Sequence, residues 1–114
     1  MDRKQLWYLW EKLVADKYIS DGRVLQKTNF AIRWWELDII LSQNWSYKFV
    51  EVKVTNAVDD LYNFITSSKK SAMRRTINKF LIEQGLDIYE TPVSVDIVFV
   101  RNWQIWEIYQ NEAI

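Results

Sequence analysis

The chain has 114 residues with 15 basic and 15 acidic side chains, so its formal net charge is zero. This balance weighs against a protein that coats nucleic acid without specificity, and it leaves local charge as the quantity to examine. Apolar residues make up 49% and charged residues 26%, which is typical of a globular protein and excludes a disordered chain. The length predicts one domain, residues 1–114, with a single core.

The chain contains no cysteine and no histidine. This excludes disulfides, thiolate catalysis and cysteine-ligated metals, together with the usual catalytic base and zinc ligand. Any catalysis must therefore use carboxylates, lysine and metal. No apolar run approaches the length of a membrane span and no signal peptide is visible, so we expect a cytoplasmic protein without a membrane partner. The seven tryptophans are spread through the chain, and we expect most of them to pack at element ends.

The first predicted element is an amphipathic helix from about Asp2 to Lys17. Apolar residues at helical spacing form its expected buried stripe, namely Leu6, Leu9, Trp10, Leu13 and Val14. Glu11 falls at the margin of this stripe, one turn after Trp7. A helix glutamate more commonly points outward to pair with a lysine, and the residues alone favour that interpretation over one in which Glu11 leans toward Asp38.

A break at Ser20–Gly22 precedes a short predicted strand, Arg23 to Thr28, and then a hairpin from Trp34 to Val54. Side chains of the hairpin alternate between the two sides of each strand. In its first strand, Trp35, Leu37, Ile39 and Leu41 share one side, while Glu36, Asp38 and Ile40 share the other. In its second strand, Val50, Val52 and Val54 oppose Phe49, Glu51 and Lys53.

A turn centred on Asn44 and Trp45 sets a register in which Asp38 faces Glu51 and Glu36 faces Lys53. Directly opposed side chains lie about 5 Å apart, and like charges there are destabilising. A divalent cation held by Asp38 and Glu51 would relieve this repulsion, and hard oxygen ligands favour magnesium or manganese over zinc. Lys53 lies two residues from Glu51 on the same face, where it can orient a water or steady a negatively charged reaction centre.

The same strand charges have a second interpretation as a solvated face. A solvent-facing strand commonly alternates charged residues with valine, and Glu36 opposite Lys53 would then be a surface ion pair of negligible energy. For an arbitrary protein this second interpretation is the more frequent one. The order of the residues favours the first, because an acid on one strand, followed by acid, any residue and lysine on the next, resembles the core of PD-(D/E)XK nucleases.

Two helices are predicted after the hairpin. The first is capped by Thr55 or Asn56, and its apolar residues are Val58, Leu61, Tyr62 and Ile65. The second and stronger one runs from about Ser68 to Gln84, is capped by Ser67 or Ser68, and is ended by Gly85. The core stripe of this second helix is Met73, Ile77, Phe80 and Leu81.

Basic side chains flank that stripe on both sides, namely Lys69, Lys70, Arg74, Arg75 and Lys79. A solvated helix face and a phosphate-contacting surface explain them equally well. Pro92 then opens two further predicted strands, Val93 to Val100 and Trp103 to Tyr109, joined by a turn at Arg101 and Asn102. The order of elements predicts a mixed α/β layer with a sheet packed by helices.

Taken together, these motifs resemble the uncharacterised bacterial YraN family, small proteins with a restriction-endonuclease-like fold related to archaeal Holliday-junction resolvases. The matching positions before the second helix are Glu11, Gly22, Asn29, Glu36-Leu37-Asp38 and Val50-Glu51-Val52-Lys53. The match within that helix is Lys69 through Leu81, and the matches after it are Val95-Asp96-Ile97-Val98 and Glu107 to Ile114. The chain departs from the family pattern at Trp34 and Trp35, where glycines are usual, and at Val54 and Thr55, where an arginine is usual.

The resemblance implies an α/β fold, a restriction-endonuclease-like mixed β-sheet flanked by helices. It also implies a metal-dependent endonuclease that hydrolyses phosphodiesters in DNA, including branched or junction DNA. The implied catalytic residues are Glu11, Asp38, Glu51 and Lys53; the implied Mg or Mn ligands are Asp38 and Glu51; the implied nucleic-acid contacts are Lys69, Lys70, Arg74 and Arg75. The alternatives are a catalytically inactive binding module for nucleic acid or protein on the same fold, and an interaction domain that self-associates through exposed aromatics. A homodimer is compatible with each.

Overall fold

The computed structural model describes residues 2–54, 66–112 and 114. Within them the fold is α/β, a five-stranded mixed sheet flanked by two helices, and it is compatible with a restriction-endonuclease-like architecture. The elements are α1 (Arg3–Ser20), β1 (Val24–Ile32), β2 (Trp35–Gln43), β3 (Ser46–Val54), α2 (Ser67–Glu83), β4 (Val93–Arg101) and β5 (Gln104–Tyr109). The helix predicted after Val54 lies outside the described residues. Neither described helix has the length and apolar character that a membrane crossing requires.

The strands lie side by side in chain order, and only the β3–β4 pair is parallel. One face of the sheet packs against α2 through a cluster that includes Phe49 and Ile97. The other face packs against α1 through a cluster that includes Val50 and Val98. Because both faces are covered, β2 and β3 each contain five consecutive buried residues at their centres.

Helix α2 confirms the predicted core stripe, since Met73, Ile77, Phe80 and Leu81 are all buried. The Phe80 ring meets those of Phe30 and Phe49 edge to face, with centroids 5.4 and 5.9 Å apart. The N-cap is Thr66, one residue before the predicted serines, and its Oγ1 accepts a hydrogen bond from the Lys69 amide. Gly85 follows the helix with a φ of +73°, as its predicted role of helix terminator requires.

Helix α1 turns a different face to the sheet from the one predicted. Its buried residues are Glu11, Val14, Ala15 and Tyr18, whereas Leu6, Leu9, Trp10 and Leu13 are only half-buried. Of the expected stripe, only Val14 lies in the core. The buried face of α1 is rotated toward Glu11, because the carboxylate of this residue has polar partners on the sheet.

The β2–β3 hairpin has the predicted register, with Ile39 paired to Val50 and Gln43 to Ser46. Its turn residues Asn44 and Trp45 have φ of 50° and 70°, the two positive values that define a type I′ turn. The β4–β5 turn is built the same way from Asn102 and Trp103, one residue later than predicted, because Arg101 still pairs within the strands. Strand β1 extends beyond the predicted Thr28 to Ile32.

The strand directions place several features at one end of the sheet. The β1–β2 connection at Arg33 and Trp34, the β4–β5 turn and the last residue of β3, Val54, share this end. The β2–β3 turn lies at the opposite end. We call the first of these the site end, since the predicted catalytic residues of β2 and β3 lie toward it.

Candidate functional site

Strands β2 and β3 separate before they reach the site end. Their backbone pairing runs from the turn as far as Ile39 and Val50 and then stops. Beyond that point β2 continues to pair with β1, and β3 continues to pair with β4 as far as Val54. The two strands therefore form a fork, and Asp38 and Glu51 are the first residues inside it, on adjacent strands as predicted.

Inside the fork, side chains form hydrogen bonds in place of the missing backbone pairs between β2 and β3. Oδ2 of Asp38 accepts a hydrogen bond from the backbone amide of Val52 at 2.8 Å. The indole Nε1 of Trp35 donates to Oε1 of Glu51 at 3.3 Å. The Asp38 and Glu51 carboxyl groups are themselves within hydrogen-bonding distance of each other. The fork thus holds two acidic side chains together in a protected position, only 7% and 4% exposed.

The side-chain alternation of β2 is interrupted at Asp38. Leu37 belongs to the cluster on the α2 side of the sheet and Ile39 to the cluster on the α1 side, although regular alternation predicts one side for both. The neighbouring strand is irregular at the same level, since Asn29 has a φ of 55°. The prediction of a uniform apolar side for β2 is therefore wrong. Its physical reason is the local break in pleat that lets Asp38 reach the backbone of β3.

Glu11 points to the sheet and not to solvent, so the outward interpretation is wrong. Its carboxylate is 4% exposed, and the Nδ2 of Asn29 donates to both of its oxygens at 3.1 Å. The same nitrogen donates to Oε1 of Glu36 at 2.7 Å. The side-chain amide of Asn29 therefore joins an acid from α1 to an acid from β2 at the edge of the fork.

Burial raises the pKa of the three carboxyl groups buried at the fork, those of Glu11, Asp38 and Glu51. For Asp38, burial is the main cause and the charges of Glu11 and Glu36 add to it, bringing its pKa to about 7 even though the Val52 amide opposes the shift. For Glu51, burial and then the charge of Asp38 raise the pKa well above its usual range. Burial likewise raises the pKa of Glu11, while Asn29 opposes the shift. The surroundings of the fork therefore favour the protonated form of each of these groups.

The donor set fits a hard divalent cation only in part. Asp38 and Glu51 offer adjacent carboxylate oxygens, the ligand type that magnesium and manganese prefer, and magnesium usually keeps several waters. Among the described residues, however, no three acidic side chains are arranged as a metal-binding group. Glu11 is instead engaged by Asn29. The structure therefore supports a metal site formed by Asp38 and Glu51 more than a metal site that Glu11 of α1 completes.

Lys53 and the basic residues of α2 have different surroundings. Lys53 is half-buried and follows Glu51 by two positions on β3, so the two share a strand face. On α2, Arg74 and Arg75 are exposed, whereas Lys69 and Lys70 are half-buried. The exposed arginines are therefore the more accessible of the four predicted nucleic-acid contacts.

Two site residues were missed by the sequence reasoning as partners of the acids. Trp35 donates to Glu51, and the Trp7 side chain lies close enough to Glu11 to lower the pKa of its carboxyl group. The one-turn spacing of Trp7 and Glu11 was the available signal. The expectation that most tryptophans serve as packing bodies is wrong for five of them, which are exposed: Trp7, Trp34, Trp45, Trp103 and Trp106.

A second buried polar cluster lies under α1, away from the fork. Asp96 is fully buried and accepts hydrogen bonds from the Tyr18 hydroxyl at 2.6 Å and from Nζ of Lys48 at 2.8 Å. The backbone amide of Asn111 also donates to it, at 3.0 Å. Every donor and acceptor in this cluster has a partner, which marks it as structural.

Comparisons with known proteins match this chain to one family. The model of the uncharacterised protein family UPF0102 matches residues 10–100, a span that contains the whole fork. A UPF0102 protein of Aliarcobacter butzleri is 32% identical over 92 residues, 81% of this chain and 80% of that relative. Another, from Nitratiruptor sp., is 29% identical over 104 residues, 91% of this chain and 88% of the relative. A third, from Colwellia psychrerythraea, is 33% identical over 87 residues, 74% of this chain and 67% of the relative.

Proposed function

Because the chain belongs to UPF0102, a family without an assigned activity, its function has to be sought in the fork, and we propose that the fork is the active site of a metal-dependent endonuclease acting on DNA. The observation that carries this proposal is the buried contact between Asp38 and Glu51. Holding two carboxyl groups together out of water lowers stability, and a surface that only binds DNA has no use for them.

In this proposal Asp38 and Glu51 hold magnesium or manganese through carboxylate oxygens. The bound ion supplies Lewis acidity and a water of lowered pKa, which are the requirements of phosphodiester hydrolysis. The Nε1 of Trp35 fixes one oxygen of Glu51 and thereby orients the other. The Lys53 ammonium, on the same strand face as Glu51, steadies negative charge on the phosphate.

Glu11 has a supporting role in the proposed site. Asn29 fixes both of its oxygens, so its charge is held at one place beside Asp38. A fixed negative charge there raises the affinity of the fork for a cation without requiring direct coordination. The exposed Arg74 and Arg75 of α2 contact DNA phosphates in the same proposal, since a guanidinium matches phosphate geometry.

The test is a cleavage assay on plasmid DNA and on a four-way DNA junction, with magnesium, with manganese and with a chelator. We expect cleavage with either ion and none with the chelator. Asp38→Asn, Glu51→Gln and Lys53→Met should each reduce the rate at least about 100-fold, the loss typical of a transition-state contact. The control is Asp16→Asn, which removes an exposed acid paired with Lys12 and should leave the rate unchanged.

The competing function is a binding module on the same fold that does not turn over. The exposed tryptophans favour it, and so does the absence of a three-acid metal group among the described residues. DNA binding by the parent protein without cleavage under either ion would contradict the nuclease proposal and support this alternative.

A further inference from the structure

A groove of about 730 Å³ opens at the site end, between the first turns of α1 and the end of β3. Its lining consists of Arg3, Lys4, Leu6, Trp7, Trp10 and Val54. Val54 directly follows the proposed catalytic Lys53 at the site end, and its side chain lies on the α1 side of the sheet. The volume of the groove falls within the usual range for a site that binds a small molecule or part of a larger one.

Two tryptophans of the groove, Trp7 and Trp10, continue into Trp103 as one aromatic row. The rings of Trp7 and Trp10 meet edge to face with centroids 6.0 Å apart. Those of Trp10 and Trp103 are 5.3 Å apart, and Trp103, at the β4–β5 turn, is 50% exposed. The row starts near Glu11, because the Trp7 side chain lies close enough to lower the pKa of that carboxyl group. It therefore leads from the acid at the edge of the fork to an exposed ring.

Positive charge accompanies the aromatic row. Arg3 and Lys4 are exposed on the groove, and the first turn of α1 contains no acidic residue. At the same end of the sheet the guanidinium of Arg101 lies 4.9 Å from the ring of Trp106. A ligand that fits this lining must offer flat rings and negative charge together. An apolar peptide would use the tryptophans but leave the cations without partners.

A nucleic-acid strand whose bases are unpaired has this chemistry. Its base faces are available for stacking and its phosphates for the cations, whereas a duplex keeps its base faces inside the helix. We propose, building on the nuclease function above, that the fork acts on single-stranded DNA or on the unpaired strand of a branched DNA. In this proposal the tryptophan row stacks the bases next to the scissile phosphate, and Arg3 and Lys4 contact the adjoining phosphates.

The aromatic part is tested with two matched variants, Trp103→Gly and Trp45→Gly. Both tryptophans occupy the second position of an Asn-Trp type I′ turn, where glycine is preferred, so both variants keep their hairpin. Binding of fluorescein-labelled oligo-deoxythymidylate is measured by anisotropy in a chelator, with a blunt duplex of equal length as comparison. We expect the single strand to bind more tightly, and Trp103→Gly to weaken it roughly tenfold, as loss of one stacking ring does. Trp45→Gly, at the far end, should not change it.

The electrostatic part is tested with two double variants of α1. Arg3→Ala with Lys4→Ala removes two charges from the groove, and Lys12→Ala with Lys17→Ala removes two from the same helix that are paired with acids. Only the first pair should weaken binding. It should also make the slope of log affinity against log salt less steep by about 1.4, because each contact to a single strand contributes about 0.7.

The outcomes separate this inference from the nuclease proposal. Equal affinity for the duplex, or equal effects of the groove and control variants, would overturn the inference even if the protein cleaves DNA. Single-strand binding that depends on Trp103 and on the Arg3–Lys4 pair supports the groove even if no cleavage is found with either ion, and in that case only the nuclease proposal fails.

Discussion

Asp38 has the most constrained position in the fork, because its carboxyl group meets acids on three sides and one backbone amide. The charges of Glu11 and Glu36 act on it, Glu51 is within hydrogen-bonding distance, and Val52 donates to it. Of these groups, the Val52 amide contributes most to holding the pKa of Asp38 down. Asp38 is therefore a group that the metal-free fold holds at a cost in stability.

Replacing Asp38 by asparagine should stabilise the metal-free protein by about 1–2 kcal/mol at pH 8, where a carboxyl with a pKa of about 7 is ionised. The amide oxygen can still accept from Val52, and the amide nitrogen can donate to Glu51. Chemical denaturation of parent and variant in a chelator measures the difference. Asp16→Asn, on the exposed side of α1, is the control and should change stability by less than about 0.5 kcal/mol.

The same substitution should reduce stabilisation by metal. An ion that binds only the folded state stabilises it, and the stabilisation grows with the ratio of the ion concentration to the Kd. Loss of an anionic ligand raises that Kd and so reduces the stabilisation. Thermal melts with millimolar magnesium or manganese should therefore shift the parent upward and the Asp38→Asn variant much less. An unshifted parent together with a destabilised variant would lead us to abandon the nuclease proposal in favour of the binding module.

The pH dependence of stability follows from the raised pKa values of Glu11, Asp38 and Glu51. Each group binds its proton more tightly in the folded state than in the unfolded state, so the folded state is favoured at low pH. Stability contributed by these groups should be fully present below about pH 4 and should fall as the pH rises through about 7. Denaturation from pH 5 to pH 8 in a chelator measures the slope. A fall over this interval that is as steep in Glu36→Gln, where one repelling charge is absent, as in the parent would contradict the assignment.

At the scale of single elements, the β2–β3 turn contains a residue whose backbone conformation does not suit its side chain. Trp45 is 90% exposed and has a φ of 70°, a conformation that glycine adopts freely and a bulky residue does not. Trp45→Gly should therefore stabilise the protein by about 0.5–1 kcal/mol, because strain is removed and little packing is lost. Urea denaturation measures it. Asn44→Ala in the same turn is the opposite control and should destabilise, since alanine tolerates a positive φ less well than asparagine.

The elements that the sequence predicted well are those whose signals are local. The register of the β2–β3 hairpin followed from one Asn-Trp pair, and the core of α2 followed from regular spacing. The β4–β5 turn was placed one residue early, although Asn102 and Trp103 repeat the pair that had located the first turn. The same rule applied twice would have found it.

The fork was beyond sequence reasoning because it depends on three elements at once. The prediction of alternating side chains assumes a regular pleat. Nothing in the amino-acid sequence of β2 shows that its pairing with β3 ends at Ile39. The acids themselves were found, because like charges at opposed positions are visible as an anomaly. The inward orientation of Glu11 followed only from the family resemblance and not from the residues alone, because its partner Asn29 is supplied by another strand. The positive φ of Asn29 had a weak signal, since asparagine is enriched at such positions.

At the scale of the whole molecule, the cluster around Asp96 ties the chain together. Tyr18 comes from α1, Lys48 from β3, Asp96 from β4, and Asn111 from the segment after β5. The Glu112 amide also bonds to the Val95 carbonyl, so this last segment is fixed at two successive residues. One buried carboxylate therefore links both halves of the sheet to the helix that covers them.

Lys48→Met should destabilise the protein by about 3–5 kcal/mol, because Asp96 is left as a buried charge without its cation. Chemical denaturation measures this, with Lys12→Met as control. The Lys12–Asp16 pair has the same 2.8 Å separation but is exposed, so its loss should cost less than about 1 kcal/mol. Equal effects of the two substitutions would show that the Asp96 cluster does not hold the elements together.

The bond from the Val52 amide to Asp38 has a spectroscopic consequence. In an ordinary hairpin that amide would bond to a carbonyl, and its proton resonance would report only on strand pairing. Here it bonds to the carboxylate at the centre of the fork, within a strand whose interior is shielded from solvent. A single nuclear magnetic resonance signal, the Val52 amide proton, therefore reads the charge of the site directly. This resonance should move upfield when Asp38 binds a proton or a cation, while the amide proton resonances of β5 should not shift.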